Sequence, residues 1–154
     1  MVKQFHQATD MFSPEQGYLG FLLRQAAHAY HLKMEKVLLE YAITPPQFTI
    51  LKIVSVYPSC SNADIARYAS LTPQTVNLMI NKLEKMDLVT KNAHPHNKKV
   101  QCIEITDNAS KVLLDATEAI EQLEDKLEQD FSEQEIATLR KWLAYIPNIE
   151  TPSP

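Results

Sequence analysis

At 154 residues, 45% apolar and 22% charged, the chain has the length of one domain and enough apolar material for a core, which excludes a disordered chain. Its formal charge of −4 excludes a molecule that is basic throughout, and its two glycines, Gly17 and Gly20, exclude a glycine-rich phosphate loop further along. The charge is unevenly spread, at +1 over residues 1–60, +2 over 61–106 and −7 over 107–154, as expected of a nucleic-acid face held apart from an acidic one.

Residues 17–41 repeat apolar side chains at helical spacing, through Leu19, Leu22, Leu23, Ala26, Tyr30, Met34, Val37, Leu38 and Tyr41. A helix of that length is awkward alone on a surface, so part of it is expected to pack on a partner chain. Thr44-Pro45-Pro46-Gln47 then starts a second helix. Thr44 and Gln47 form a capping box and proline suits the first turn, where its missing N–H costs nothing. Phe48, Leu51 and Val54 share its inner face, and Tyr57-Pro58-Ser59 ends it.

Ser61-Asn62-Ala63-Asp64 is another capping box, opening a short helix with Ile65, Ala66 and Ala69 inward. After a turn at residues 70–72, Thr72-Pro73 starts a further helix with Val76, Ile80, Leu83 and Met86 toward the core. Two short helices joined by about three residues are a helix-turn-helix, whose second helix is the candidate reader of the major groove. Residues 88–92 and 99–106 are rich in β-branched side chains and flank the polar turn at 93–98, a pattern that predicts a β-hairpin wing. The expected fold is therefore mainly helical with a small hairpin, a winged helix-turn-helix joined to a helical dimerisation domain.

Beyond Thr106, the residues Leu113, Ala116, Ile120, Leu123 and Leu127 step by three and four, with acidic side chains outside. Ser132-Glu133-Gln134-Glu135 caps a last helix lined by Ile136, Leu139, Leu143 and Ile146, and Pro147 stops it. An apolar stripe on a soluble helix needs a partner surface, and a second copy of the chain is the economical choice. The expected division is 1–43 for the first part of the dimerisation domain, 44–106 for the winged helix, 107–147 for the closing dimerisation helices and 148–154 for a tail.

On the recognition helix, the face opposite the core carries Gln74, Thr75, Asn77, Leu78, Asn81, Lys82 and Lys85, with Thr72 at its start. Carboxamides can bond bidentately to adenine edges, hydroxyls take either kind of partner, and Leu78 can touch thymine methyls. No arginine offers the common guanine contact, so an A·T-rich site is expected. Lys82 and Lys85 suit phosphates. On the wing, His96, Lys98 and Lys99 suit the backbone or the minor groove.

With these residues in place the sequence resembles the MarR (multiple-antibiotic-resistance regulator) family of winged-helix transcription factors. The resemblance rests on I-T-P-P-Q-F-T-I-L at 43–51, S-N-A-D-I-A at 61–66, L-T-P-Q-T-V at 71–76, K-L-E-K-M-D-L-V at 82–89, and H-P-H-N-K-K with I-E-I-T within 94–106. It implies a homodimer whose first and last helices intertwine, binding double-stranded DNA at a pseudo-palindrome. It also implies repression relieved by a small aromatic or phenolic, acid-like effector. The chain departs from the family at the wing, where Asn97-Lys98-Lys99 replaces the usual Asp-Arg-Arg. Lysine keeps the charge but loses the planar fork, so minor-groove insertion becomes less directional. Leu78 stands where arginine is common, and Asp87 and Ala109 stand where glycine is common.

Arg24, His28 and Tyr30 lie near where the family places effector pockets, and an arginine among aromatics could hold a carboxylate between rings. His28 and His31 are two potential ligands, too few for a metal site, so neither metal nor cofactor is expected. Cys60 and Cys102 lack C-x-x-C spacing and are expected to be buried and unreactive, although Cys60 precedes a helix start where a thiolate can be favoured. No signal peptide or long apolar run is visible, which points to the cytoplasm and away from a membrane. No nucleophile elbow or paired carboxylates suggest an enzyme. The alternatives are a winged-helix adaptor acting through protein contacts, and a redox- or metal-sensing member of the same family.

Overall fold

The computed structural model describes residues 12–94 and 97–150. Its helices are α1 (Leu19–Leu38), α2 (Pro45–Val56), α3 (Asn62–Ala69), α4 (Pro73–Lys85), α5 (Asp107–Glu128) and α6 (Glu133–Tyr145). A small antiparallel sheet is built from β1 (Cys60–Ser61), β2 (Val89–His94) and β3 (Asn97–Ile105), in the order β1-β3-β2. The chain divides into two units, residues 1–117 and 118–154, with the boundary inside α5.

In the first unit each helix begins and ends where local chemistry requires. α1 stops at a 3-10 turn followed by Ala42 at φ 55°, and Ile43 N–H donates back to the Leu38 carbonyl at 3.4 Å. Two residues later α2 opens with the Thr44 N–H donating to Gln47 Oε1 at 2.9 Å. Gln47 is buried, and its Nε2 donates to Met86 Sδ at 3.8 Å, so one side chain serves both the start of α2 and the end of α4. This contact accounts for the one departure on the core face of α4. Met86 is 37% exposed, because it caps that helix rather than continuing its inner stripe.

α3 starts on the predicted box. Asp64 N–H donates to Ser61 Oγ at 3.2 Å, and Ser61 N–H donates to Asp64 Oδ2 at 3.1 Å. Ser70, at φ 53°, closes α3 and turns the chain into α4 through Thr72 and Pro73. Val76, Ile80 and Leu83 are fully buried beside Leu38, Ile50, Leu51, Val54 and Ile65, and together they form the core that fixes the two short helices against each other. Outside that core the Tyr57 and Tyr68 rings stack at 4.8 Å and 5° between planes, joining the end of α2 to α3.

The hairpin forms as the alternation implies but reaches further toward its tip than residues 88–92 and 99–106. Val89 pairs with Ile105, Lys91 with Ile103 and Asn92 with Cys102, with an irregularity between Ala93 and His94. β1 has no counterpart in the sequence reading. Its two residues pair Cys60 with Ile103 and Ser61 with Cys102, which buries both cysteines and ties the start of α3 to the hairpin. Asp87 precedes β2 at φ 55°, the left-handed conformation that explains a glycine preference there. Ala109 is completely buried.

In the second unit α6 contains no buried residue. Leu139 and Leu143 are 45% and 48% exposed, and Phe131 before the helix is 51% exposed. Ser132 and Glu135 form the predicted cap, with Ser132 N–H donating to Glu135 Oε2 at 2.9 Å, and Arg140 pairs with Glu128.

Candidate nucleic-acid interface

α4 presents a polar face because its other face is spent on Val76, Ile80 and Leu83. Thr72 caps the helix, its Oγ1 accepting from Thr75 N–H at 3.2 Å and lying 2.8 Å from Thr75 Oγ1. One of the two hydroxyls donates to the other. Gln74 is exposed and makes no hydrogen bond among the described residues, and Leu78 is 57% exposed. Lys82 and Lys85 are exposed in the last turn, where their charge also complements the helix dipole.

Two further carboxamides on this face are engaged. Asn77 is exposed, and its Oδ1 accepts from Asn62 Nδ2, on the first turn of α3, at 3.3 Å. Asn81 is half-buried, and its Oδ1 accepts from Lys91 Nζ, on β2, at 2.5 Å. Lys91 also lies 2.6 Å from Glu84 Oε2, so one ammonium joins the hairpin to two positions of α4. Sequence reasoning missed Asn62, Lys91 and Glu84. Residues that meet across 7 to 15 positions do so through the crossing of helices and the register of the hairpin, and no local pattern encodes that.

His96 lies outside the described residues, as do the side chains of Lys98 and Lys99, whose backbone belongs to β3. The structure therefore brings Thr72, Gln74, Thr75, Asn77, Leu78, Asn81 and Lys82 onto one helix, adjacent to the base of the hairpin.

Electrostatics at the start of α3 follow from its cap. Asp64 is held below the ordinary carboxylate value by the Ser61 hydroxyl, then by the Ser61 N–H, with Arg67 adding attraction at 3.0 Å. Burial pushes the Cys60 thiol up, which disfavours the thiolate despite the nearby helix start.

On α1, Arg24 is exposed with its guanidinium 5.3 Å from the centre of the Phe21 ring, which also packs edge-on against Phe12 at 4.9 Å. His28 is exposed and Tyr30 is half-buried. Two grooves in the second unit are lined by residues such as Phe131, Ile136 and Leu139, and Arg24, His28 and Tyr30 line neither. His31 Nε2 lies 3.3 Å from Glu35 Oε1, and among the described residues no three potential metal ligands gather. No helix among them is long and apolar enough to cross a membrane.

Residues 43–100, from the start of α2 into the hairpin, match the model of the MarR family. The chain is 35% identical over 75 residues to the HTH-type transcriptional repressor Rv2887 of Mycobacterium tuberculosis, a match that covers 49% of this chain and 54% of that protein. It thus spans about half the length of the curated relatives it matches. Among solved structures it is similar to the MepR–DNA complex of S. aureus, with TM-score 0.80 and 22% identity over 88% of this chain and 98% of that one. It is also similar to CouR from Rhodococcus jostii RHA1 bound to p-coumaroyl-CoA, with TM-score 0.77 and 16% identity over 88% and 95%. These likenesses establish a winged-helix fold, and the matched lobe carries the helix-turn-helix and hairpin described above. Over residues 43–100 the chain is thus similar to the MarR family.

Proposed function

We propose that the chain is a sequence-specific, duplex-DNA-binding transcriptional regulator that works as a homodimer in the cytoplasm and represses until a small ligand releases it. The observation that carries this reading is the polar face of α4, with Gln74, Asn77, Leu78 and Lys82 directed away from a fully apolar inner face. The family match and the names of its relatives support it: Rv2887 is named a repressor, and MepR is seen with DNA. On this reading Thr72, Gln74, Thr75, Asn77, Leu78, Asn81 and Lys82 enter the major groove, while His96, Lys98 and Lys99 reach the backbone or minor groove.

The helices outside the winged helix are the dimerisation domain. Support comes from each unit separately, since Leu19 is 57% exposed on α1 and Leu139 and Leu143 are exposed on α6. The effector proposed is an aromatic acid held near Arg24, His28 and Tyr30. Arg24 is exposed beside an aromatic ring, a guanidinium suited to a carboxylate, and CouR is seen with an aromatic acyl thioester.

The test is selection of genomic or randomised duplexes by the purified chain, followed by affinity against salt. Log affinity should fall linearly with log salt as phosphate contacts release counterions. A chain indifferent to every duplex at low ionic strength overturns the proposal. A flat salt dependence favours a protein-binding adaptor instead.

A further inference from the structure

The two carboxamides engaged on α4 are held with the same polarity. Lys91 Nζ has protons and no lone pair, so it can meet only the oxygen of Asn81, which leaves Asn81 with its NH2 group as the free end. At the other pair the buried end of Asn62 decides. Its Oδ1 is buried with no hydrogen-bond partner. An NH2 in that place would strand two donors, and an unsatisfied carbonyl is the less costly of the two. Asn62 therefore keeps its oxygen inward and donates through Nδ2, and Asn77 answers with Oδ1. The exposed end of Asn77 is its NH2.

We infer that Asn62 and Lys91 are positioning residues that set the reading polarity of the recognition helix, so that Asn77 and Asn81 offer donors to the major groove. This rests on the proposed DNA-binding role of α4. A carboxamide free to turn pairs with adenine through both ends, oxygen to N6–H and nitrogen to N7. With its oxygen turned toward Asn62 or Lys91 and the amide plane held, the end that faces outward is the NH2. It selects edges rich in acceptors instead, O6 and N7 of guanine or O4 of thymine, while the N6–H donor of adenine opposes it. Gln74, which has no such tether, keeps both ends and is the residue suited to adenine.

Asn62→Asp inverts the arrangement without changing shape. A carboxylate accepts and never donates, so Asn77 must turn its NH2 inward and present Oδ1 outward. An acid in the first turn of α3 suits the helix dipole, which offsets part of the cost of a carboxylate oxygen in the buried place, and thermal unfolding of the variant checks that it folds. The experiment is duplex selection with the wild type, Asn77→Ala, Asn62→Asp and Lys91→Met. Asn77→Ala locates the base pair that Asn77 reads. At that pair the wild type should prefer guanine or thymine, and Asn62→Asp should prefer adenine or cytosine, a reversal of at least about fivefold in relative affinity. Lys91→Met should admit adenine at the neighbouring pair only. A wild-type preference for adenine at the Asn77 position, or an Asn62→Asp preference that does not change, overturns the inference while leaving DNA binding intact. A wild type that selects no duplex overturns the proposed function, and this inference with it.

Discussion

Lys91 Nζ sits 2.6 Å from Glu84 Oε2, and this ion pair holds the first strand of the hairpin to the last turns of the recognition helix. Lys91 is largely enclosed at 15% side-chain exposure, whereas Glu84 is open at 44%, so the carboxylate both anchors the cation and cancels its charge. Glu84→Gln should cost less than about 1 kcal/mol of folding stability, since one partner is solvated. The same change leaves the Lys91 charge uncancelled beside the proposed DNA face while its bond to Asn81 remains. Duplex affinity should rise for all sequences alike, and the salt slope should steepen by about one phosphate contact. Titration of labelled duplex across a salt series checks this, and an unchanged slope places Lys91 away from the phosphates.

Gln74 and Lys82 should separate base reading from charge. Gln74 is exposed with both amide ends available, so Gln74→Ala should cost about 1–3 kcal/mol at a selected site and relax preference at one base pair. Lys82→Ala should weaken binding to matched and mismatched duplexes by the same factor. Competition between the two duplexes measures both. If Gln74→Ala leaves the matched-to-mismatched ratio untouched, α4 is oriented differently on the groove.

The fold was legible wherever the signal was local. The boxes Thr44/Gln47, Ser61/Asp64 and Ser132/Glu135 each cap the helix they predict, because a cap is a contact between residues three apart. The core face of α4 was legible through Ile80 and Leu83, and it failed only at Met86, which meets Gln47 across 39 positions. β1 was illegible because two residues have no periodicity, and they become a strand only when Ile103 pairs with Cys60. At the interface the residue types on α4 were readable but their state was not. Asn77 and Asn81 look equivalent to Gln74 in sequence, and only the approach of Asn62 and Lys91 distinguishes them.

Acid should loosen the start of α3 through Asp64. Its folded value lies below the ordinary 3.8 because the Ser61 hydroxyl and N–H bond the ionised carboxylate. A depressed folded value means that the charge adds stability at neutral pH. That contribution is complete above about 3.8 and is lost as pH falls from there through the folded value. Asp64→Asn should therefore lower stability at pH 7 and flatten the acid side of the stability curve. Ser61→Ala removes the hydroxyl acceptor and should cost about 0.5–2 kcal/mol. Urea unfolding at several pH values reads both, and parallel curves for wild type and Asp64→Asn would remove Asp64 from the acid response.

The exposed stripe of α6 should decide the assembly. Ile136, Leu139, Leu143 and Ile146 recur at helical spacing, yet none of them is buried in a single chain. Burying a leucine of this kind contributes about 1.5–3 kcal/mol, so two per chain across a two-fold contact provide a strong drive to associate. Leu139→Glu combined with Leu143→Glu should reduce the solution mass from two chains to one. Duplex affinity should fall with it, because a single lobe reads half a site. Sedimentation of wild type and double variant at equal concentration provides the comparison. A wild type with the mass of one chain, or a double variant still twice that mass, removes α6 from the interface.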